Sequence, residues 1–261
     1  MRDARWWTSA ACGAISLGLL WGVWELTAAR GWSVSRVFPP PSRFVSDVAS
    51  SGLRIGLGRQ SATIWQSILA SFLRVFAGLG LGFVAALLLG LAMSSSIWVK
   101  RFVFPIVRLM APIAPIAWIP LALVLLGIGN QTAIFIVFMG VFFTLTIATV
   151  QAVENVPQHL RDAARSLGAS GLQTWMLVVL PHALPTVFTI LRLNFIAAWM
   201  AVLAAEMTGL QDGLGAIIMI GRNLFNNNLI LFGMCLIGIA GFLGDLTLKT
   251  IQNRFFWWGG R

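Results

Sequence analysis

Long apolar runs dominate the chain, and polar residues gather between these runs instead of alternating with apolar ones. A helix of about twenty apolar residues crosses a hydrocarbon core of about 30 Å, and inside lipid a helix satisfies its own backbone polar groups. The pattern therefore predicts an all-α membrane protein, a single domain over residues 1–261 with six transmembrane helices. These helices are predicted at about residues 9–29, 67–94, 103–126, 131–152, 187–209 and 229–251.

Two of these runs carry a further pattern. The second has small residues at four-residue spacing, which makes a smooth ridge for close helix packing, either within the chain or against a second copy. The third is interrupted by prolines, so we expect a kinked or broken helix beside protein or a watery cavity, near a transport route. The small residues are Gly78, Gly82, Ala86 and Gly90, and the prolines are Pro105, Pro112, Pro115 and Pro120.

Three connections are longer than simple turns. In residues 30–66, Ser42 follows three prolines and is placed to cap a short helix, which we expect to lie on the membrane surface. Residues 210–228 are rich in glycine and asparagine and are predicted to form a loop. Residues 153–186 are polar but rich in helix-forming residues, which indicates helices outside the lipid.

The polar insertion at 153–186 predicts two short helices joined at a glycine. Pro157 suits the first turn of a helix that runs to Leu167, and Gly168 permits the left-handed residue that ends it. A second short helix then runs to about Leu180 and is predicted to stop at Pro181. Ala163 and Ala164 give the first helix a slim tip, which suits insertion into a cleft of another protein.

Composition supports the membrane class and excludes others. The chain is 58% hydrophobic and 10% charged, and its net charge of +10 comes from Lys and Arg scattered between apolar runs. That scatter is unlike the basic stripe of a nucleic-acid-binding protein. Two cysteines and two isolated histidines, His159 and His182, give no ligand cluster, so neither a metal nor a cofactor is expected.

The segment Asp162-Ala163-Ala164-Arg165-Ser166-Leu167-Gly168, followed at a fixed distance by Leu180-Pro181, resembles the coupling loop of ABC importer permeases. In that family Glu usually stands where this chain has Asp162. The resemblance extends over about residues 21–258, and is closest to importers of nitrate, aliphatic sulfonates, taurine and bicarbonate. Other segments carry it in order: residues 38–42, Ser71-Phe72-Leu73-Arg74-Val75, 119–121, 126–129, Ala204-Ala205-Glu206-Met207 and Gly213-Leu214-Gly215. Ala111 departs from the group, which often has Arg before the following proline.

The resemblance implies a MetI-like fold with a core at about 60–251, an additional amino-terminal helix at 9–29 and a cytoplasmic coupling loop at 153–186. It implies a multi-pass protein of the bacterial inner membrane, with both termini cytoplasmic. The expected partners are membrane lipid, a second permease copy forming a homodimer, two cytoplasmic ATPases and an extracytoplasmic binding protein that delivers a small anionic solute. The residues implied to couple the permease to the ATPases are Asp162, Ala163, Ala164, Gly168 and Pro181.

The residues themselves agree that the energy comes from a partner. A phosphate-binding loop needs Gly-Lys before Ser or Thr, and the two lysines follow Val99 and Leu248. Two other classes of membrane protein fit the sequence less well than the importer. A self-sufficient carrier would need paired acidic residues near the middle of the membrane and usually has internal repeats, and neither is evident in the sequence. A membrane scaffold would not need a jointed polar double helix at a fixed place.

Ionisable residues inside apolar runs are costly and mark candidate sites. Glu25, Arg74 and Asp245 are expected to snorkel or to pair locally. Arg192, Trp199 and Glu206 fall on one helix face, which is predicted to line the translocation pathway. Alternatively, Arg192 braces the coupling loop and Glu206 caps polar backbone near the outer end. Arg108, beside the broken helix, either attracts an anion into the pathway or snorkels to the surface.

Overall fold

The computed structural model describes residues 2–29, 39–43, 46, 54–55 and 62–255. It divides into two compact units: Met1–Trp65 with Ile217–Ile237, and Gln66–Ala216 with Gly238–Arg261. Within the described residues, the strands are the antiparallel pair β1 (Arg54–Ile55) and β2 (Ala62–Thr63), and the other regular elements are helices. The surface helix predicted after Ser42 lies mostly outside the described residues.

The described helices confirm three of the six predicted spans to within four residues and begin at least six residues before the other three. In order they are α1 (Arg2–Ala29), α2 (Ile64–Ser95), α3 (Ile97–Met110), a 3₁₀ turn (Pro115–Trp118), α4 (Ile119–Leu126), α5 (Asn130–Glu154), α6 (Gln158–Ser166), α7 (Gly171–Thr174), a π turn (Trp175–Val179), α8 (Leu180–Glu206), α9 (Leu214–Asn223) and α10 (Asn227–Phe255).

Four continuous helices among the described residues are long and apolar enough to cross a membrane. They are Ile64–Ser95, Asn130–Glu154, Gly171–Glu206 and Asn227–Phe255. A fifth span results if α3 is counted together with the segment Pro115–Leu126, which meets it at 94°. Because α1 is not among these spans, the count of six stays a prediction.

The glycine ridge of α2 packs against α5 within the same unit, as the first of the two alternatives predicted. A Cβ at Gly78 would lie 2.6 Å from Val137 Cβ, and one at Gly90 would lie 2.6 Å from Thr149 Cβ. Ala86, between them on the ridge, is fully buried. The small residues thus let the two helix backbones approach more closely than larger side chains would allow.

The predicted break in the third span is present, and α5 supports it. Pro105 lies inside α3, whereas Pro115 opens the 3₁₀ turn after the bend. The ring of Pro115 lies against Gly140 of α5, where a Cβ would come within 2.6 Å of Pro115 Cγ. Trp118 stacks on Phe143 with a centroid distance of 6.5 Å. The interrupted backbone is therefore packed on protein, as a break at membrane depth requires.

The loop predicted at 210–228 is wrong in its middle, because α9 lies there. The flanking glycines and asparagines indicated a loop, but the apolar run between them buries Leu214 and Ile217 almost completely. Burial of these apolar side chains stabilises a helix too short to persist alone. The loop prediction holds only for the turns before and after α9.

Two ionisable residues of the sequence analysis have polar partners elsewhere in the chain, each within its own unit. Arg192 of α8 forms a bidentate pair with Asp245 of α10, with Nε to Oδ1 at 2.7 Å and Nη2 to Oδ2 at 2.8 Å. Arg192 therefore joins two spans instead of bracing the coupling loop. In the other unit, Glu25 of α1 accepts a hydrogen bond from Ser42 Oγ at 2.7 Å, which is the local pairing expected.

Candidate functional site

The joint after α6 has the backbone geometry that the sequence predicted. Gly168 has φ of +82°, in the left-handed region. Its N–H donates to the carbonyl of Arg165 at 2.9 Å, and the N–H of Ala169 donates to the carbonyl of Ala164 at 3.0 Å. This pair of bonds is the Schellman arrangement, which satisfies carbonyls that a helix end would otherwise leave open.

The second helix begins at Gly171, three residues after Gly168, and hydrogen bonds of its N-cap Ser170 fix its first turn. The Oγ of Ser170 accepts from the N–H of Gln173 at 3.3 Å, and Gln173 Oε1 accepts from the N–H of Ser170 at 2.8 Å. This reciprocal capping box fixes the first turn of α7. The joint between α6 and α7, at Gly168 and Ala169, is therefore held rigid by a hydrogen-bonded motif on each side, and we call this joint the elbow.

The prediction that the second helix stops at Pro181 is wrong. Residues Gly171–Glu206 form one continuous helix of 36 residues, and Pro181 lies in the first turn of α8. Proline lacks an N–H, and its ring clashes with the carbonyl four residues earlier in a regular helix. The preceding π turn removes that conflict by widening the backbone, since the N–H of Leu180 donates five residues back to Trp175. The second helix of the joint is therefore the beginning of a transmembrane span.

The side chains at the joint present a polar tip with apolar corners. Asp162 and Ala163 are exposed, whereas Ala164 faces inward and is buried. Leu167 is 89% exposed and Leu172 is 71% exposed, one on each side of the elbow. The polar tip is therefore flanked by two exposed leucines, Leu167 on the connection and Leu172 at the beginning of the 36-residue helix.

The end of α5 forms the base of this elbow. Arg161 of α6 donates from Nη2 to the carbonyl of Val153 at 2.7 Å. One residue further on, Glu154 forms an ion pair with Lys100 of α3. Val156, in the connection between α5 and α6, is buried. These contacts place α3, α5 and α6 around the same helix end.

A second polar site lies where α8 ends. Glu206 is fully buried, and its Oε1 accepts from Ser71 Oγ at 2.7 Å and from Arg74 Nη1 at 2.8 Å. Its Oε2 accepts from the N–H of Gly215 at 2.9 Å, and Ser71 Oγ accepts from the N–H of Leu214. Glu206 thus caps the first turn of α9, which is the structural alternative that the sequence left open for it.

Arg74 lies at the centre of this cluster and is 2% exposed, so it pairs internally and does not snorkel. Its guanidinium makes five hydrogen bonds, which match its five N–H donors. The acceptors are Glu206 Oε1, Asn130 Oδ1 twice, the carbonyl of Asp212 and, at 2.5 Å, Asp212 Oδ1. A saturated guanidinium has no donor left for a transported anion. The cluster therefore fastens α2, α5 and α8 to the residues that lead into α9.

Among the predicted pathway residues, Trp199 and Glu206 are buried and Arg108 is exposed. Trp199 is 5% exposed and packs against Phe72, with ring centroids 5.2 Å apart. Trp199 and Glu206 are thus both in the intramolecular core, and we base no pathway on their shared face. Arg108 is exposed on the last turn of α3, with its guanidinium over the ring of Phe104 at 5.6 Å.

Sequence reasoning missed four members of these sites: Ser71, Asn130, Arg161 and Asp212. A signal for one of them, Ser71, was present. Ser71 with Arg74, and Glu206 with Gly215, come from segments that carried the resemblance to permeases, and the structure brings these segments together in one cluster. Arg161 had no comparable signal, because its acceptor is a backbone carbonyl.

The chain matches a family model described as binding-protein-dependent transport system inner membrane component, over residues 64–256. It is 31% identical to the taurine transport system permease protein TauC of Escherichia coli (strain K12), with 99% of this chain and 95% of that protein covered. It is 28% identical to the nitrate import permease protein NrtB of Leptolyngbya laminosa, over 92% of this chain and 86% of that protein.

Two solved structures share the fold. An amino acid ABC transporter crystallised with histidines matches with a TM-score of 0.62 and 17% identity, over 82% of this chain and 97% of that one. The inward-facing MetNI methionine ABC transporter matches with a TM-score of 0.54 and 23% identity, over 72% of this chain and 97% of that one.

Proposed function

This chain belongs to the family of binding-protein-dependent transport system inner membrane components, and from that premise we propose how it works. It is a permease subunit of an ABC importer of the inner membrane. In our proposal it forms one half of a paired channel for a small anion, and the joint after α6 receives the movement of an ATPase. The observation that carries the proposal is the rigid elbow at Gly168, with exposed leucines on both of its sides.

The elbow has the properties that a mechanical contact needs. A helix of nine residues joined by a flexible loop would absorb a displacement, whereas the Schellman bonds and the capping box fix the angle between α6 and α7. Because α7 continues without a stop into α8, a push on the elbow acts directly on a transmembrane span. Asp162, Ala163, Ala164 and Gly168 form the contact in this proposal, and Pro181 belongs to the span that responds.

The remaining parts of the assembly follow from the same proposal. Two ATPases bind the elbows of two identical permease copies on the cytoplasmic side, and a soluble binding protein delivers the solute on the opposite side. Both termini then lie in the cytoplasm. The absence of a Gly-Lys phosphate loop from the sequence supports separate ATPases. A carrier that works alone is the competing class, and it would transport in vesicles without ATPase or ATP.

We propose a small sulfonate or nitrate-like anion as the solute, because the relatives include permeases named for taurine and nitrate. The saturated Arg74 does not contribute to this selectivity. In our proposal the pathway passes the broken span of α3 and α4, where Arg108 is an exposed cation in the last turn of α3 before the bend. Uptake of labelled taurine by the reconstituted complex, with nitrate as competitor, would distinguish the two solutes.

Substitution at the elbow tests the proposal. Gly168→Val places a β-branched residue at φ of +82°, which costs roughly 1 to 2 kcal/mol or more and tilts α6. We expect the subunit to insert in the membrane at a normal level, because the spans are unchanged. Uptake of solute by the reconstituted complex should be lost, and ATPase should co-purify less.

Gly171→Val is the matched control, because a Cβ meets nothing within 4 Å at either glycine and Gly171 has no positive φ. This control should retain transport and ATPase. Gly168→Asn should fall between the two, since Asn tolerates left-handed backbone. Normal uptake and full ATPase retention by Gly168→Val would show that the elbow does not couple the subunits.

A further inference from the structure

The connection between the elbow and the broken span passes through the last turn of α5. Two side chains from different elements meet this turn: Arg161 of α6 at the carbonyl of Val153, and Lys100 of α3 at the carboxylate of Glu154. The two acceptors are consecutive residues. We call residues 153–154 with these two cations the α5 node.

Arg161 fastens α6 to the node. A helix of nine residues does not hold its position through its own hydrogen bonds, so contacts with neighbouring elements must position it. The carbonyl of Val153 lies in the last turn of α5, where it also accepts from the N–H of Val156 at 3.3 Å and where the helix dipole favours a cation. The Nε of Arg161 is buried without a hydrogen-bond partner among the described residues. The side chain is therefore held at a cost in desolvation, which indicates a positional role.

The Lys100–Glu154 pair has no evident purpose within either helix. Glu154 is the last residue of α5, where the helix dipole disfavours a carboxylate, and Lys100 is in the first turn of α3, where the dipole disfavours a cation. The side chain of Glu154 is 51% exposed and that of Lys100 is 29% exposed. Ion pairs between side chains this exposed contribute little to stability. What the pair does accomplish is to join the beginning of the broken span to the end of α5.

We propose that Arg161, Lys100 and Glu154 are positioning residues of the transport step, and that they form the linkage through which a displaced α6 moves the broken span. This inference rests on the proposed function of the elbow. The ATPase moves α6, Arg161 transmits the movement to the end of α5, and the ion pair carries it to α3. The bend at Pro112 and Pro115 lies beyond α3 and changes its angle when α3 shifts.

The test measures ATP hydrolysed per solute imported, in the full complex reconstituted with ATPases and binding protein. Lys100→Glu and Glu154→Lys should each raise this ratio about fivefold or more, because hydrolysis continues while import falls. The double reversal restores the ion pair and should return the ratio to within about twofold of wild type. A residue needed only for folding would lower both activities together and would leave the ratio unchanged.

Controls make each outcome decisive. Arg101→Glu makes the same charge reversal on the neighbouring residue of α3, which lies over Trp98, and should keep the wild-type ratio. Arg161→Ala should uncouple, and Arg161→Lys should recover part of the coupling, because the lysine ammonium can still donate to the carbonyl of Val153. If a reversal reduces the amount of assembled complex, the milder Lys100→Gln replaces it in the same measurement.

A wild-type ratio in both single reversals would overturn the inference. So would a double reversal that fails to restore coupling, or an Arg101→Glu variant that uncouples equally. If Gly168→Val loses uptake but the node variants keep the wild-type ratio of ATP hydrolysed to solute imported, the proposed linkage is overturned and the proposed function of the elbow is not. Normal uptake in Gly168→Val would instead overturn the proposed function of the elbow.

Discussion

Gly213 supports the buried cluster by having no side chain. It precedes α9 with φ of +113°, and a Cβ there would lie 2.5 and 2.6 Å from the two carboxylate oxygens of Glu206. Gly209 offers a matched comparison, since its φ is +125° but a Cβ would meet only Ile128 at 3.6 Å. Alanine at the two positions therefore introduces similar backbone strain, and only Gly213→Ala displaces the carboxylate.

The magnitudes separate the two variants. Backbone strain of this kind costs on the order of 1 to 3 kcal/mol at either position. In Gly213→Ala the carboxylate of Glu206 must also move away from Ser71, Arg74 and the N–H of Gly215. Breaking a buried, hydrogen-bonded ion pair costs about 3 to 5 kcal/mol. We expect Gly213→Ala to lower the free energy of unfolding by about 3 kcal/mol more than Gly209→Ala.

The assay is thermal unfolding of the purified subunit in detergent, followed by tryptophan fluorescence at one heating rate for all variants. The additional loss corresponds to a midpoint on the order of 10 °C lower for Gly213→Ala than for Gly209→Ala. The double variant Glu206→Ala with Gly213→Ala checks the cause, because the added methyl then meets no carboxylate. Equal midpoints for the two single alanine variants would refute the reasoning.

The remaining predictions concern packing and orientation. Gly78→Leu should destabilise the subunit by roughly 3 kcal/mol or prevent its accumulation. Gly80→Leu should be tolerated, because a Cβ at Gly80 meets nothing within 4 Å. Equal levels of the two variants in detergent extracts would contradict the packing of α2 on α5. Single cysteines at the exposed positions Arg43 and His159, in a chain without its native cysteines, should react with a membrane-impermeant maleimide from opposite sides; labelling from one side would refute the proposed orientation.

Local features of the fold were predictable because their causes lie within a few residues. Apolar run length gave the spans of α2, α5 and α10, and prolines gave the break between α3 and α4. Gly168 marked the end of α6, since few residues other than glycine adopt its backbone conformation. Each of these properties belongs to a segment, so the sequence of that segment was sufficient.

Errors arose where a neighbouring turn or a distant element changes the meaning of a local signal. Pro181 indicated a helix end, but a widened turn just before it lets the helix continue. The glycine-rich stretch after α8 indicated a loop, yet Glu206 and Ser71 supply the caps that α9 needs. Periodicity placed Trp199 and Glu206 on one face correctly, but it does not say whether that face meets a pathway or a neighbouring helix.

The sequence by itself determined that the chain crosses a membrane, which of its spans is broken and where the elbow lies. These features depend on the length of apolar runs, on prolines and on a glycine, all of which act locally. The tertiary structure decided which charges are available for function. Arg74 and Glu206 are 132 residues apart in the chain, and only folding shows that they bind each other. Arg161 likewise looks like any exposed cation until the fold brings it to the end of α5. A charged side chain acquires its role from its partner, and long-range packing selects that partner.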